Sequence, residues 1–332
     1  MKVLLKVSYL AKTTFKMKIV ALDSHTLNPG DLDWHDLAAL GKLTTYDRTR
    51  AELITERSRD ADIILTNKVP INKTVIDSLP ELKLINVTAT GYDIIDVIAA
   101  KQKGVIVCNV PAYGTASVAQ HAFALLLELT NHVGRHAAST ASGRWERSED
   151  WCFTEAPIME LMGKTLGIVG FGNIGQQMAN IASAFGMNVI YYSLHKKETA
   201  IAKFTDLETL FTESDVISLH CPLRKDNYQF VNGHLLKFMK KTAFLINTSR
   251  GSLIQEQDLA NALNNNNLAG AALDVLSSEP PLSDNPLLIT KNCIITPHNA
   301  WISKESRQRI LDTTVININA FLKGSPVNVI SK

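Results

Sequence analysis

Nowhere does the chain approach 18 uninterrupted apolar residues, so nothing in it reads as a membrane span. A surplus of one charge is missing too. The 34 Lys and Arg against 32 Asp and Glu leave a net +2, too balanced for a protein whose main partner is nucleic acid. Cysteine is scarce: Cys108, Cys152, Cys221 and Cys293 stand 44, 69 and 72 residues apart. No pair has metal-ligand spacing, and four in 332 residues are not a disulfide framework. They read as small buried hydrophobes in a reducing compartment, and the chain as cytoplasmic with no metal. Short repeats are absent, and the asparagines at 264–267 form a polar turn rather than a low-complexity tract. What is present is ordinary globular material, 45% apolar and 20% charged. The length suits about two domains. Residues 1–16 look faintly like a signal peptide, but Lys6 interrupts the apolar run and no A-x-A site follows. Met17 directly precedes a convincing strand, so 1–16 are read as an appended or upstream-start segment outside the fold.

Short apolar, β-branched runs alternate with helical patterns almost from end to end. Strands are expected at 18–22 (KIVAL), 62–67 (DIILTN), 82–88 (LKLINVT) and 105–108 (VIVC), with helical patterns at 33–40, 50–57, 73–78 and 95–101. Residues 117–131 (SVAQHAFALLLELTN) are apolar on nearly all sides and predict a buried helix. Then 139–163 lack periodicity and carry Trp145, Trp151 and Phe153. Such an arm is read as a subunit interface; the alternative is that its aromatics pack on their own domain. A second series follows, with six strands at 165–169, 188–192, 215–219, 243–247, 269–274 and 293–296. Its helices fall at 174–185, 207–213, 233–239 and 255–264, the pattern of a doubly wound parallel sheet. The last helix, 304–322, is expected to cross back and complete the first domain.

The strongest local motif is Gly170-Phe171-Gly172-Asn173-Ile174-Gly175. It follows the strand TLGIV and opens a helix whose apolar positions Ile174, Met178, Ile181, Ala182 and Phe185 share one face. Gly170 permits the tight turn, Gly172 lets the backbone approach a pyrophosphate, and Gly175 lets helix and sheet pack closely. The phosphates would rest on the N–H groups and dipole of the helix N-terminus. An acid that binds the ribose 2′-hydroxyl should end the next strand, yet Ser193 stands there, followed by His195, Lys196 and Lys197. Lys196 or Lys197 could pair a 2′-phosphate, which gives NADP(H). If those lysines are only solvated surface, the cofactor is NAD(H). Both readings stay open.

Three further residues lie on loops after later strands, where ligands sit in open α/β sheets. They are Arg250 in NTSRG, Glu279 in SSEPP and His298 in TPHNAW. Singly they read as a surface cation, a turn residue and a strand-end cap. Together they supply what reduction of a 2-keto acid needs. Arg offers a planar fork for a carboxylate. His gives a proton to the carbonyl oxygen, and Glu holds it in one tautomer and favours its charged form.

The order GFGNIG, NTSRG, SSEPP, TPHNAW resembles the D-isomer-specific 2-hydroxyacid dehydrogenase family over nearly the whole chain from Met17. The stretch 20–49, with TNKVP, ATGYDIID and NVPAYGTASVAQH, is similar to its glycerate dehydrogenase (hydroxypyruvate reductase) branch. The resemblance implies that Arg250 binds the substrate carboxylate and that Glu279 and His298 form the acid/base dyad. Backbone N–H groups near Thr90 and Gly91 would help hold the carboxylate. Asn173, Ile174, Ser193, Cys221, Pro222, Asn227, Thr248, Ser249, Asp274 and Ala300 would line the cofactor, with Asp274 on the nicotinamide side. It also implies a homodimer joined through the nucleotide domain and the 139–163 arm. Ser193 in the acidic position departs from the pattern and puts NAD specificity in question, and Asn299 replaces a commonly apolar residue. The expected fold is α/β with two doubly wound parallel-sheet domains. A flavodoxin-like substrate domain spans 17–116 and 300–332, and a Rossmann-type nucleotide domain spans 117–299. The two are expected to close about a hinge near 112–117 and 299–304. The expected activity is reduction of hydroxypyruvate or a similarly small 2-keto acid. The alternatives are glyoxylate, a larger 2-keto acid, or a dinucleotide-sensing binding protein on this fold.

Overall fold

The computed structural model of the protein describes residues 17–331, so the segment 1–16 lies outside the described residues. The chain divides into two units. One runs to Tyr113 and resumes at Ile302; the other is Gly114–Trp301. The breaks fall a few residues from the expected 116/117 and 299/300. Helix Thr115–Asn131 starts two residues before its apolar pattern does, and the Ala300 N–H is bonded to Asp274, so both ends belong to the second unit.

The first unit is built on β1 (Lys18–Ala21), β2 (Lys42–Thr45), β3 (Ile63–Thr66), β4 (Leu84–Val87) and β5 (Ile106–Cys108). They form a parallel sheet in the order β2-β1-β3-β4-β5, the flavodoxin-like order. β-Branched runs alternate their side chains between two apolar layers. Val20, Ile64, Ile85 and Val107 face one core with Val75, Ile76, Ala99 and Ala100 of helices Lys73–Asp77 and Val97–Gln102. Ile19, Ile63, Leu65 and Leu84 face the other, with Leu311 and Ile318 of helix Lys304–Leu322. Cutting the fully buried Ile318 to Ala would cost about 2–5 kcal/mol. Arg307 fastens the same helix by two bonds to the Asp31 carboxylate, at 2.6 and 2.7 Å.

The second unit is built on β6 (Thr165–Val169), β7 (Asn188–Tyr192), β8 (Lys203–Phe204), β9 (Val216–Leu219), β10 (Phe244–Asn247), β11 (Gly270–Leu273) and β12 (Cys293–Ile295). The order is β12-β11-β10-β9-β6-β7-β8, parallel throughout. The order reverses between β6 and β9, and the carboxyl ends at such a switch point open onto a ligand crevice. Helices Thr115–Asn131 and Asn173–Ala184 share one core layer with Leu166, Ile168, Val216 and Ile246. Among the described residues, no helix is long and apolar enough to cross a membrane.

Two strands and one helix escape the sequence pattern. β2 (KLTT) and β8 (KF) lie at sheet edges and are half-buried or exposed, so they lack the apolar run of an interior strand. The second unit thus has seven strands rather than the six expected. Helix Val133–Ala141 buries no residue and begins after His132, whose positive φ breaks it from the preceding helix. The arm beyond it is pinned to it: Glu155 bonds Ser139 and Arg144, and its N–H donates to His136 Nε2 at 3.0 Å. Phe153 lies under Arg144 and beside His136, whereas Trp145 and Trp151 are exposed. All four cysteines are free, but only Cys108 is fully buried. Cys152 is exposed on the arm, which corrects the expectation that all four are buried.

Candidate active site

The carboxyl ends of β6, β9, β10, β11 and β12 carry the loops that matter, and each loop is tied to the next. After β6, Gly170 adopts φ +97°, which a side chain disfavours, and a Cβ there would lie 2.5 Å from Cys221 N. Cys221, after β9, accepts a bond from Ser249 Oγ at 2.5 Å. Ser249 O in turn accepts from Arg250 Nη1 at 2.9 Å. Asn247, the last residue of β10, folds this turn with both ends of its amide. Its Nδ2 donates to Arg250 O, and its Oδ1 accepts from Ser249 N. Gly251 then presses against the loop after β11, where a Cβ would overlap the Leu276 carbonyl group. Leu276 N donates to Glu279 Oε1 at 3.2 Å, and Glu279 Oε2 lies 2.6 Å from His298 Nδ1. Arg250, Glu279 and His298 are therefore brought to one edge of one sheet, and Gly251, which the sequence reading passed over, is the contact between the Arg250 and Glu279 loops.

His298 is only partly exposed and holds a left-handed backbone, φ +51°. That conformation costs of order 1–3 kcal/mol and persists only where the surroundings dictate it. Asp274 dictates it here. Its backbone O accepts His298 N at 2.9 Å, and its carboxylate accepts Asn299 N and Ala300 N at 2.9 Å each. Asp274 is 1% exposed, so its carboxylate serves the loop that carries His298.

The glycine turn fits a dinucleotide on three counts. Helix Asn173–Ala184 has no side-chain cap, leaving the N–H groups of Asn173, Ile174 and Gly175 without intrahelical partners. A Cβ at Gly172 would meet only open space, while one at Gly175 would overlap Gly170 O. Thr248, nine-tenths buried at the end of β10, keeps a hydroxyl with no hydrogen-bond partner. The floor beside the turn is uncharged. Burial pushes the Cys221 thiol up to about 11 and the His220 imidazole down to about 4, so no thiolate opposes a phosphate there.

Other expected contacts are less direct. Ser193 Oγ donates to His195 O at 2.5 Å and closes its own turn, and Lys196 is exposed. Asn227 is spent on its loop: its Oδ1 accepts Arg224 N, and its Nδ2 donates to Pro222 O. Ala300 contributes its backbone N–H to Asp274. Thr90 and Gly91 belong to the first unit, after β4, where Thr90 bonds Val110 O and Asn109 Nδ2.

Residues 123–300 match the family described as D-isomer specific 2-hydroxyacid dehydrogenase, NAD binding domain. The chain is 50% identical over 322 residues to the hydroxypyruvate reductase of Blautia hydrogenotrophica, covering 95% of this chain and 100% of that one. It is 39% identical over 316 residues to the glycerate dehydrogenase of Methylorubrum extorquens, covering 94% and 98%. Among solved structures, an acyclic imino acid reductase (Bsp5) in complex with NADPH and D-Arg superposes with a TM-score of 0.85 at 33% identity, covering 95% and 100%.

Proposed function

We propose, the chain being a member of the D-isomer-specific 2-hydroxyacid dehydrogenase family, that it reduces hydroxypyruvate to D-glycerate and catalyses the reverse oxidation. As a member of that family it is an oxidoreductase of the CH–OH group of 2-hydroxy acids and uses NAD(H) or NADP(H). The observation that carries the reading is the 2.6 Å contact of Glu279 with His298, on the same sheet edge as Arg250 and the glycine turn.

When bound, the reduced nicotinamide supplies the hydride that C2 of the keto acid receives. Asn173, Ile174 and Gly175 would hold its pyrophosphate through their N–H groups. Arg250 gives the substrate carboxylate a planar pair of donors and draws electron density from the neighbouring carbonyl. His298 in its doubly protonated form donates Nδ1–H to Glu279, which leaves Nε2–H directed at the keto oxygen as negative charge grows there. Glu279 is held from its other oxygen by Leu276 N, so the imidazole pivots little. A proton donor placed this way contributes about 10²- to 10⁴-fold to the rate. Ser193 in place of an acid directly after β7 supports acceptance of a 2′-phosphate, with Lys196 as its partner. Four free cysteines support a reducing, cytoplasmic location, and exposed Trp145 and Trp151 support a homodimer joined through the arm.

Steady-state rates on hydroxypyruvate, glyoxylate, pyruvate and phenylpyruvate, each with NADH and with NADPH, test the reading. The highest kcat/KM is expected on hydroxypyruvate. A maximum on the aromatic keto acid, or no turnover of any of them, overturns it.

A further inference from the structure

Helix Thr115–Asn131 is apolar on most of its surface, yet two polar side chains one turn apart, Ser117 and His121, reach the loop that carries His298. Ser117 Oγ donates to Ala300 O at 2.6 Å, at the far end of that loop. His121 Nε2 lies 3.1 Å from Thr296 Oγ1, at its near end. Thr296 Oγ1 lies 2.6 Å from Asp274 Oδ1, and His121 Nε2 is 3.5 Å from the same oxygen.

The direction of these bonds follows from what each group can do. A carboxylate only accepts, so the Thr296 hydroxyl hydrogen goes to Asp274. The Thr296 oxygen is then the acceptor, and the proton between it and His121 belongs to His121 Nε2. The result is a chain in one sense, His121 Nε2–H to Thr296 Oγ1–H to Asp274 Oδ1. It ends on the carboxylate that also holds Asn299 N and Ala300 N.

We propose that His121 and Thr296 are positioning residues for the proton donor. Through Asp274 they hold the 296–300 loop in the strained turn that sets His298 against Glu279. Neither residue touches the reacting atoms. Their effect is on geometry, and a displacement of about 1 Å in a catalytic group can cost about 100-fold in rate. The Arg250 turn is folded separately, by Asn247, so carboxylate binding is expected to survive their loss.

The inference rests on the function proposed above, and the test keeps the two apart. His121→Leu and Thr296→Val remove the donor and the relay, whereas His121→Gln and Thr296→Ser retain them. With hydroxypyruvate and saturating cofactor, the two apolar variants should lose about 10- to 100-fold in kcat with KM for the keto acid little changed. The two conservative variants should stay near the parent. Full kcat in the apolar variants overturns the proposal, as does an equal loss in the conservative ones, or a loss expressed only in KM. Hydrogen exchange at the Asn299 and Ala300 amides needs no substrate. It should speed up in the apolar variants and not in the conservative ones; unchanged exchange in the apolar variants overturns the proposal even if the parent reduces none of the keto acids.

Discussion

Asp23, two residues past the carboxyl end of β1, and Asp274, directly past that of β11, each fold the loop of the adjacent strand around a carboxylate. Asp23 takes the N–H groups of Asn67, Lys68 and Val69 after β3. Asp274 takes those of Asn299 and Ala300 after β12. The device is the same and the cargo is not. Asp274's loop carries an imidazole locked to a carboxylate and reaches helix Thr115–Asn131, whereas Asp23's loop carries no such acid/base pair. Burial raises the Asp23 pKa above the ordinary carboxylate value despite three backbone donors. A parallel sheet thus offers shaped loops wherever a buried acid can end a strand, and function depends on which side chains those loops present.

The largest effect should come from emptying one loop of its cargo. His298→Ala is expected to lower kcat on hydroxypyruvate by about 10²- to 10⁴-fold with the fold intact by circular dichroism. A kcat within tenfold of the parent would remove His298 from the proton route. Next, Gly251→Ala should push apart the loops of Arg250 and Glu279, because the added methyl overlaps the Leu276 carbonyl group. A drop of about 100-fold in kcat/KM is expected, and parent-like kinetics would mean the two loops need not touch. The smallest effects compare the aspartates themselves. Asp274→Asn replaces one acceptor oxygen with a donor that faces backbone N–H groups, and should lower kcat by about tenfold or more.

Asp23→Asn should instead show itself in stability against pH. A carboxyl whose folded pKa is raised lends stability below its unfolded value of 3.8, and that stability is lost as pH rises through the folded value. Thermal melts of the parent should therefore carry a decline over that interval that Asp23→Asn lacks. Superimposable pH profiles for the two proteins would contradict this account of Asp23.

Interior strands were legible because continuous β-branched runs such as IILT and LINV have no stable place except between two apolar layers. Edge strands KLTT and KF were not, since half their surface meets solvent and their pairing, not their composition, makes them strands. Arg250, Glu279 and His298 were legible for a similar reason: in a parallel sheet the loops after successive strands open at the same end, so residues on them gather there. His121 and Thr296 lie 175 residues apart, and no spacing rule links a helix to a loop at that distance. Gly251 was hidden too, its importance lying in a neighbour, Leu276, that only the folded chain supplies.

The central claim is that Glu279 acts through His298, and kcat for Glu279→Gln, His298→Ala and the double variant tests it most directly. If the pair is one unit, the double variant should be as slow as His298→Ala alone, within about twofold. A double variant slowed by the product of the two single losses would mean that Glu279 serves the reaction independently of the imidazole it holds.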